Sequence, residues 1–111
     1  MAVVAAPLRF EVWLVNLDPT LGSEINKTRP CVVISPDELN RYLRTVTIAA
    51  LTSSSRSYPS RVDCQFQGRS GQVALDHIRS VDKARLVKKL GTLPAATAQA
   101  VCTQLVALFQ Y

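Results

Sequence analysis

The chain is built from short apolar, largely β-branched runs, each cut off by proline, glycine or a polar cluster. Residues 10–17, Phe-Glu-Val-Trp-Leu-Val-Asn-Leu, alternate and stop at Asp18-Pro19, the pattern of a strand entering a turn. Residues 30–35, ended by Pro36, and residues 46–51 are more continuously apolar and read as central strands. The polar stretch at 37–44 between them is compatible with a helix. Residues 61–66 alternate again before a turn at Gly68, residues 71–78 give another strand, 81–85 a short helical turn, and 86–90 a last short strand.

Residues 94–111 break this rhythm. Ala98, Val101, Cys102, Leu105, Leu108 and Phe109 fall at helical spacing, with Pro94 where a first-turn proline is tolerated. No charged residue lies between Ala95 and Tyr111, so the far face, with Gln99, Thr103 and Gln104, is expected to be partly covered by another chain. Five or six short strands closed by one amphipathic helix predict a mainly β fold, a small twisted barrel rather than a layered parallel sheet. At 111 residues, one domain over 1–111 is expected.

Thirteen Lys and Arg stand against eight Asp and Glu, a formal charge of +5, and arginine dominates the bases. An arginine fork matches a phosphate, so the balance points to a polyanionic partner, nucleic acid above all. Cys31, Cys64 and Cys102 lack the pairing of a disulfide framework or a zinc site and read as buried structural thiols in a reducing cytoplasm. The apolar start, Met1 to Pro7, is too short for a signal core, and no run is long enough to span a membrane.

No phosphate-binding glycine loop, metal-ligand cluster or nucleophile elbow is present. His77 is the lone histidine, which removes any two-histidine acid–base scheme. The loop expected over 18–28 ends next to Arg29, with Glu24 close by in sequence. Phosphodiester cleavage could use both, a carboxylate to take a proton from an attacking hydroxyl and a fixed guanidinium to neutralise phosphate charge. By composition alone, a surface ion pair is the simpler account. Thr52 and Ser53 emerge from a strand end, where hydroxyls can grip a phosphate or cap their own turn. Asp76, His77 and Arg79 end another strand. Arg41, Arg44, Arg56, Arg61 and Arg69 are scattered between strands, most of them expected in solvent and a minority along an RNA backbone.

Together these segments resemble the MazF/PemK family of toxin endoribonucleases over nearly the whole chain. Glu11 to Thr20 is similar to the family's opening strand and turn, and Gly22-Ser23-Glu24 with Lys27-Thr28-Arg29-Pro30 to its signature loop. Ile34 to Pro36, Leu51-Thr52-Ser53, Tyr58-Pro59, Ser70-Gly71, Leu75 to Arg79, Val81 to Lys83 and Arg85-Leu86 continue it in order. The resemblance implies an SH3-like barrel, a homodimer in the bacterial cytoplasm, and cleavage of single-stranded RNA without metal or cofactor. The RNA's own 2′-hydroxyl would attack, leaving a cyclic phosphate and a 5′-hydroxyl.

By matching position, Arg29 would stabilise the phosphorane and assist the leaving oxygen, Thr52 would hold the phosphate, and Glu24 is the chosen base, with Asp76 its rival. Ser23, Lys27, Thr28, Ser53, Arg56, Asp76, His77 and Arg79 are expected to contact RNA. Some members carry a histidine where this chain has Ser23, and a basic residue where it has Ala74; both departures favour Glu24. Phe10 stands where the family often has glycine. The resemblance also implies an antitoxin whose acidic, disordered C-terminal segment blocks the RNA groove. The alternatives are a gyrase poison on the same barrel and a catalytically dead member that only binds RNA or antitoxin.

Overall fold

A computed structural model describes residues 6–17, 27–53 and 55–111. Six strands, β1 (Glu11–Asn16), β2 (Thr28–Val33), β3 (Thr45–Thr52), β4 (Arg61–Phe66), β5 (Arg69–Asp82) and β6 (Leu86–Thr92), form one antiparallel sheet in the order β4-β5-β3-β2-β1-β6. Two helices, α1 (Asp37–Tyr42) and α2 (Ala95–Phe109), and a 3₁₀ turn (Lys83–Arg85) complete the described chain. The sheet curls into an open barrel. No described ladder joins β4 to β6; side chains close that gap. The Phe66 ring lies against Gly91, where a Cβ would stand 2.9 Å from Cζ, and Gln67 Nε2 donates to the Leu90 carbonyl at 2.8 Å.

The central strands are continuously apolar because both of their faces are buried. Val12, Val32, Ala49 and Val73 point into one cluster, sealed by Val101 of α2. Val15, Cys31, Val33, Val46 and Ile48 point the other way into a second, flanked by Trp13 and Leu86. Each such side chain contributes roughly 1.5–3 kcal/mol on burial. The polar helix α1 is held instead by Asn40, fully buried, whose Nδ2 donates to the carbonyls of Pro7 and Ser35 while Oδ1 accepts from Ser35 Oγ at 2.6 Å.

Three features differ from the sequence reading. Thr28 and Arg29 belong to β2 and not to the preceding loop, because they pair with Asn16 and Val15. Pro30 is accommodated opposite Leu14 because pairing with β3 begins only at Cys31. Beyond residue 78, β5 continues to Asp82 through the expected helical turn, which shrinks to Lys83–Arg85. The strand is bent by a bulge: Ala49 faces Ile78 and the next residue, Ala50, faces Ala74, so Leu75, Asp76 and His77 are left out of the β3 ladder. Phe10 has a φ of 70°, the left-handed region that suits the family's glycine; its side chain packs on the first core cluster. Of the loop read over 18–28, residues 18–26 lie outside the described residues.

Candidate active site

The β2–β3 ladder ends at Cys31 opposite Ala50. Continued by two residues, the antiparallel register sets Arg29 against Thr52, the last residue of β3. Alternation puts both on the same sheet face as Cys31 and Ala50, on neighbouring strands. Arg29 is exposed and Thr52 half-buried. Among the described residues no carboxylate pairs with the Arg29 guanidinium.

A cavity of about 640 Å³ opens at this point, with Arg29, Thr52, Ser53, Arg69, Ser70 and Gly71 in its wall and an apolar side that includes Phe66. Gly71 is required by the close approach of β5. A Cβ there would lie 2.5 Å from the Thr52 carbonyl oxygen, a backbone atom that cannot turn aside. Glycine at 71 therefore sets where Thr52 can stand.

The Cys31 thiol is buried and pushed up to about 11 by that burial, against the opposing pull of Arg29 and Arg79. Its Sγ donates to the Arg29 carbonyl at 3.6 Å. Arg79 faces Ile48 across the ladder and so shares the face that carries Arg29 and Thr52. Cys31 and Cys64 are free and buried, and Cys102 is half-buried, in keeping with structural thiols.

Asp76 is engaged elsewhere. Arg61 grips its carboxylate with two hydrogen bonds, Nε to Oδ1 at 2.7 Å and Nη2 to Oδ2 at 3.1 Å, and Ser60 Oγ donates to Oδ1 at 3.1 Å. The hydrogen bond from Arg61 holds the carboxyl at about 2, with Ser60 helping and desolvation opposing. His77 Nε2 is 3.4 Å from Asp76 Oδ2 with its side chain 59% exposed. Both residues belong to the β5 bulge and neither lines the Arg29 cavity.

Of the residues expected from sequence, the fold thus gathers Arg29, Thr52 and Ser53 around one cavity. Lys27 and Thr28 are exposed just ahead of Arg29, and Arg79 shares its face without lining the cavity. Arg56 is exposed while its main chain is held by Gln72. Ser23 and Glu24 lie outside the described residues. Arg69, Gln67 and Gln72 enter the neighbourhood unannounced: Arg69 was one scattered base among several, and only the curl of β4 and β5 brings it to Arg29. Among the described residues, no three His, Cys, Asp or Glu side chains cluster to hold a metal ion. No described helix is long and apolar enough to cross a membrane.

A family model of PemK-like, MazF-like toxins of type II toxin–antitoxin systems matches residues 8–109. An endoribonuclease MazF from Staphylococcus epidermidis is 35% identical over 88 residues, covering 74% of this chain and 73% of that one. Among solved structures, an endoribonuclease in complex with its cognate antitoxin from Mycobacterial species superposes with a TM-score of 0.79 at 27% identity, over 92% of this chain and 93% of that chain. MazF from Deinococcus radiodurans gives 0.77 at 30% identity, over 96% and 98%. A MazE–MazF complex from the same organism gives 0.78 at 30%, over 93% and 95%.

Proposed function

Because the chain belongs to the family of PemK-like, MazF-like toxins of type II toxin–antitoxin systems, we propose that it cuts single-stranded RNA at a seat formed by Arg29 and Thr52. It is a toxin endoribonuclease of the MazF type. The observation that carries the proposed site is the register that sets Arg29 against Thr52 at the mouth of one cavity. A fork of donors without a carboxylate partner among the described residues is suited to the non-bridging oxygens of a phosphodiester.

In the proposed reaction the 2′-oxygen attacks the adjacent phosphorus as the bond to the 5′-oxygen breaks. A cyclic phosphate and a 5′-hydroxyl result. Arg29 neutralises the charge that grows on the phosphorane, and the Thr52 hydroxyl holds a phosphate oxygen. The 2′-proton needs a base that is ionised yet able to accept. Asp76, held at about 2 by Arg61, is a weak acceptor at neutral pH, which favours Glu24. Arg29 assists protonation of the leaving oxygen. These roles require no metal or cofactor.

The remaining parts of the proposal follow the same surface. Residues 1–111 act as a single domain in the bacterial cytoplasm. The +5 charge suits RNA and equally an antitoxin whose acidic segment occupies the Arg29 cavity. Solved relatives in complex with antitoxin support such a partner. The uncharged α2, with Val106 67% and Phe109 73% exposed, supports a homodimer. Lys27, Thr28, Ser53, Arg56, Arg79 and His77, with Ser23, extend the RNA path. The Staphylococcus epidermidis and Mycobacterial relatives named above are endoribonucleases, which favours RNA cleavage over gyrase poisoning.

Incubating the protein with a single-stranded RNA pool in EDTA and sequencing the new 5′ ends tests this reading. Cleavage that persists and leaves 5′-hydroxyls is expected. Loss of cleavage in EDTA defeats the mechanism, and an uncut pool defeats the function.

A further inference from the structure

Gln72 is a polar residue only 4% exposed near the start of β5, and its amide is committed to a loop. Oε1 accepts from the Arg56 N–H at 3.0 Å, and Nε2 donates both to the Arg56 carbonyl at 2.9 Å and to Asp63 Oδ1 at 2.9 Å. One amide thereby grips a single loop residue by both of its main-chain groups, as a neighbouring strand would. Its partners Arg56 and Asp63 are exposed, but the Gln72 amide itself is buried, so losing these contacts would leave that amide unsatisfied.

The place of this grip in the sheet gives it a role. Gln72 faces Asp63 on one side and Thr52 on the other, and the same rung, extended to β2, reaches Arg29. The gripped segment is the one that leaves the sheet just after Thr52 and Ser53. It borders a second cavity of about 530 Å³, which shares Ser53, Cys64, Ser70 and Gly71 with the first. Its wall combines apolar surface, including Cys64 and Pro94, with hydroxyls, amides and the Asp63 carboxylate, and among the described residues no lysine or arginine lines it. Such a lining suits a nucleobase and repels a phosphate.

We infer that Gln72 is a positioning residue for specificity: by clamping the Arg56 main chain beside Thr52, it fixes the loop wall that accepts nucleotides flanking the cleaved bond. This rests on the reading that the Arg29–Thr52 seat cuts RNA. Gln72 touches no reacting atom. Its effect is on which sequences bind and how tightly.

Steady-state cleavage of RNAs that vary at the flanking nucleotides tests the inference, using Gln72→Met, which keeps the side-chain length without the amide. KM on the preferred RNA is expected to rise roughly tenfold, about the worth of one hydrogen bond, with kcat changed by less than about threefold. Discrimination among flanking nucleotides should fall, and exchange of the Arg56 amide proton should accelerate. A second pair of variants works from the loop side, away from the core. Arg56→Pro and Arg56→Ala both remove the side chain read as an RNA contact, but only Arg56→Pro also removes the N–H that Gln72 holds, so Arg56→Pro should lose clearly more discrimination than Arg56→Ala. Faster exchange in Gln72→Met with unchanged KM and preference would overturn the inference, as would equal loss in Arg56→Ala and Arg56→Pro. Wild-type protein that cuts no RNA would defeat the cleavage reading itself, an outcome distinct from an active enzyme whose preference ignores Gln72.

Discussion

Arg29 and Arg61 are two arginines on one curled sheet, and they are used in opposite ways. Arg61, with its side chain 10% exposed, spends its fork on Asp76 and lies 5.6 Å from the Tyr58 ring centroid. Arg29 stands exposed where β2 and β3 part, facing a hydroxyl and a cavity, with no carboxylate on it among the described residues. A bidentate pair already satisfies the donors that a phosphate would need. The difference teaches that the closed arginine holds β4 to the β5 bulge, and that the open one is free of such a carboxylate among the described residues, which is why the proposed chemistry is assigned to it.

Arg29→Ala should have the largest effect, a fall in cleavage rate of roughly 10²–10³-fold, as for loss of a donor that stabilises a developing anion. Thermal melting should change little, because the side chain is exposed. Thr52→Val should follow at roughly tenfold to fiftyfold in single-turnover rate, since one neutral donor is removed and the shape is kept. Gly71→Ala should cost about 1–3 kcal/mol of stability by overpacking against the Thr52 carbonyl and should slow cleavage with it. Parallel melting and activity assays check the pair, and an active, fully stable Gly71→Ala enzyme would show that Thr52 need not be held there.

The smallest effect on cleavage is expected at the closed pair, where Asp76→Asn should change kcat/KM by less than about threefold and Glu24→Gln should do far more. The reverse order would move the base to Asp76. Acid should reveal what the pair does instead. The Asp76 carboxyl is depressed from 3.8 to about 2, so its stabilisation is complete above about pH 4 and is lost as pH falls towards 2. Wild-type Tm should therefore drop across that window by more than the Tm of Asp76→Asn; parallel curves would contradict the assignment.

Much of this architecture was readable because the signals were local. The central strands and α2 announced themselves through apolar runs and helical spacing, while the polar stretch after Pro36 was compatible with the helix that α1 forms. Arg29 and Thr52 could be singled out, but their alignment could not, since register is a property of paired strands. Thr28 and Arg29 carry no apolar alternation, and only Val15 and Asn16 across the ladder make them strand. The full length of β5 was hidden by its bulge, which interrupts the period at Leu75, Asp76 and His77. Arg69 and Gln72 were missed because their roles arise where the β4–β5 hairpin folds back beside Thr52, with Gln67 and Gly68 both at positive φ in its turn. A buried glutamine with a loop main chain for a partner leaves no mark in a one-dimensional pattern.

The central claim is that the open arginine receives the scissile phosphate. It is tested most directly by following arginine side-chain N–H resonances while the protein is titrated with a cleavable-site RNA whose attacking 2′-hydroxyl is replaced by hydrogen. The Arg29 Nε–H signal should shift and sharpen as the guanidinium becomes fixed on the phosphate, and the Arg61 signal, already tied to Asp76, should stay in place. A shift confined to Arg61, with Arg29 unmoved at saturating RNA, would contradict the account.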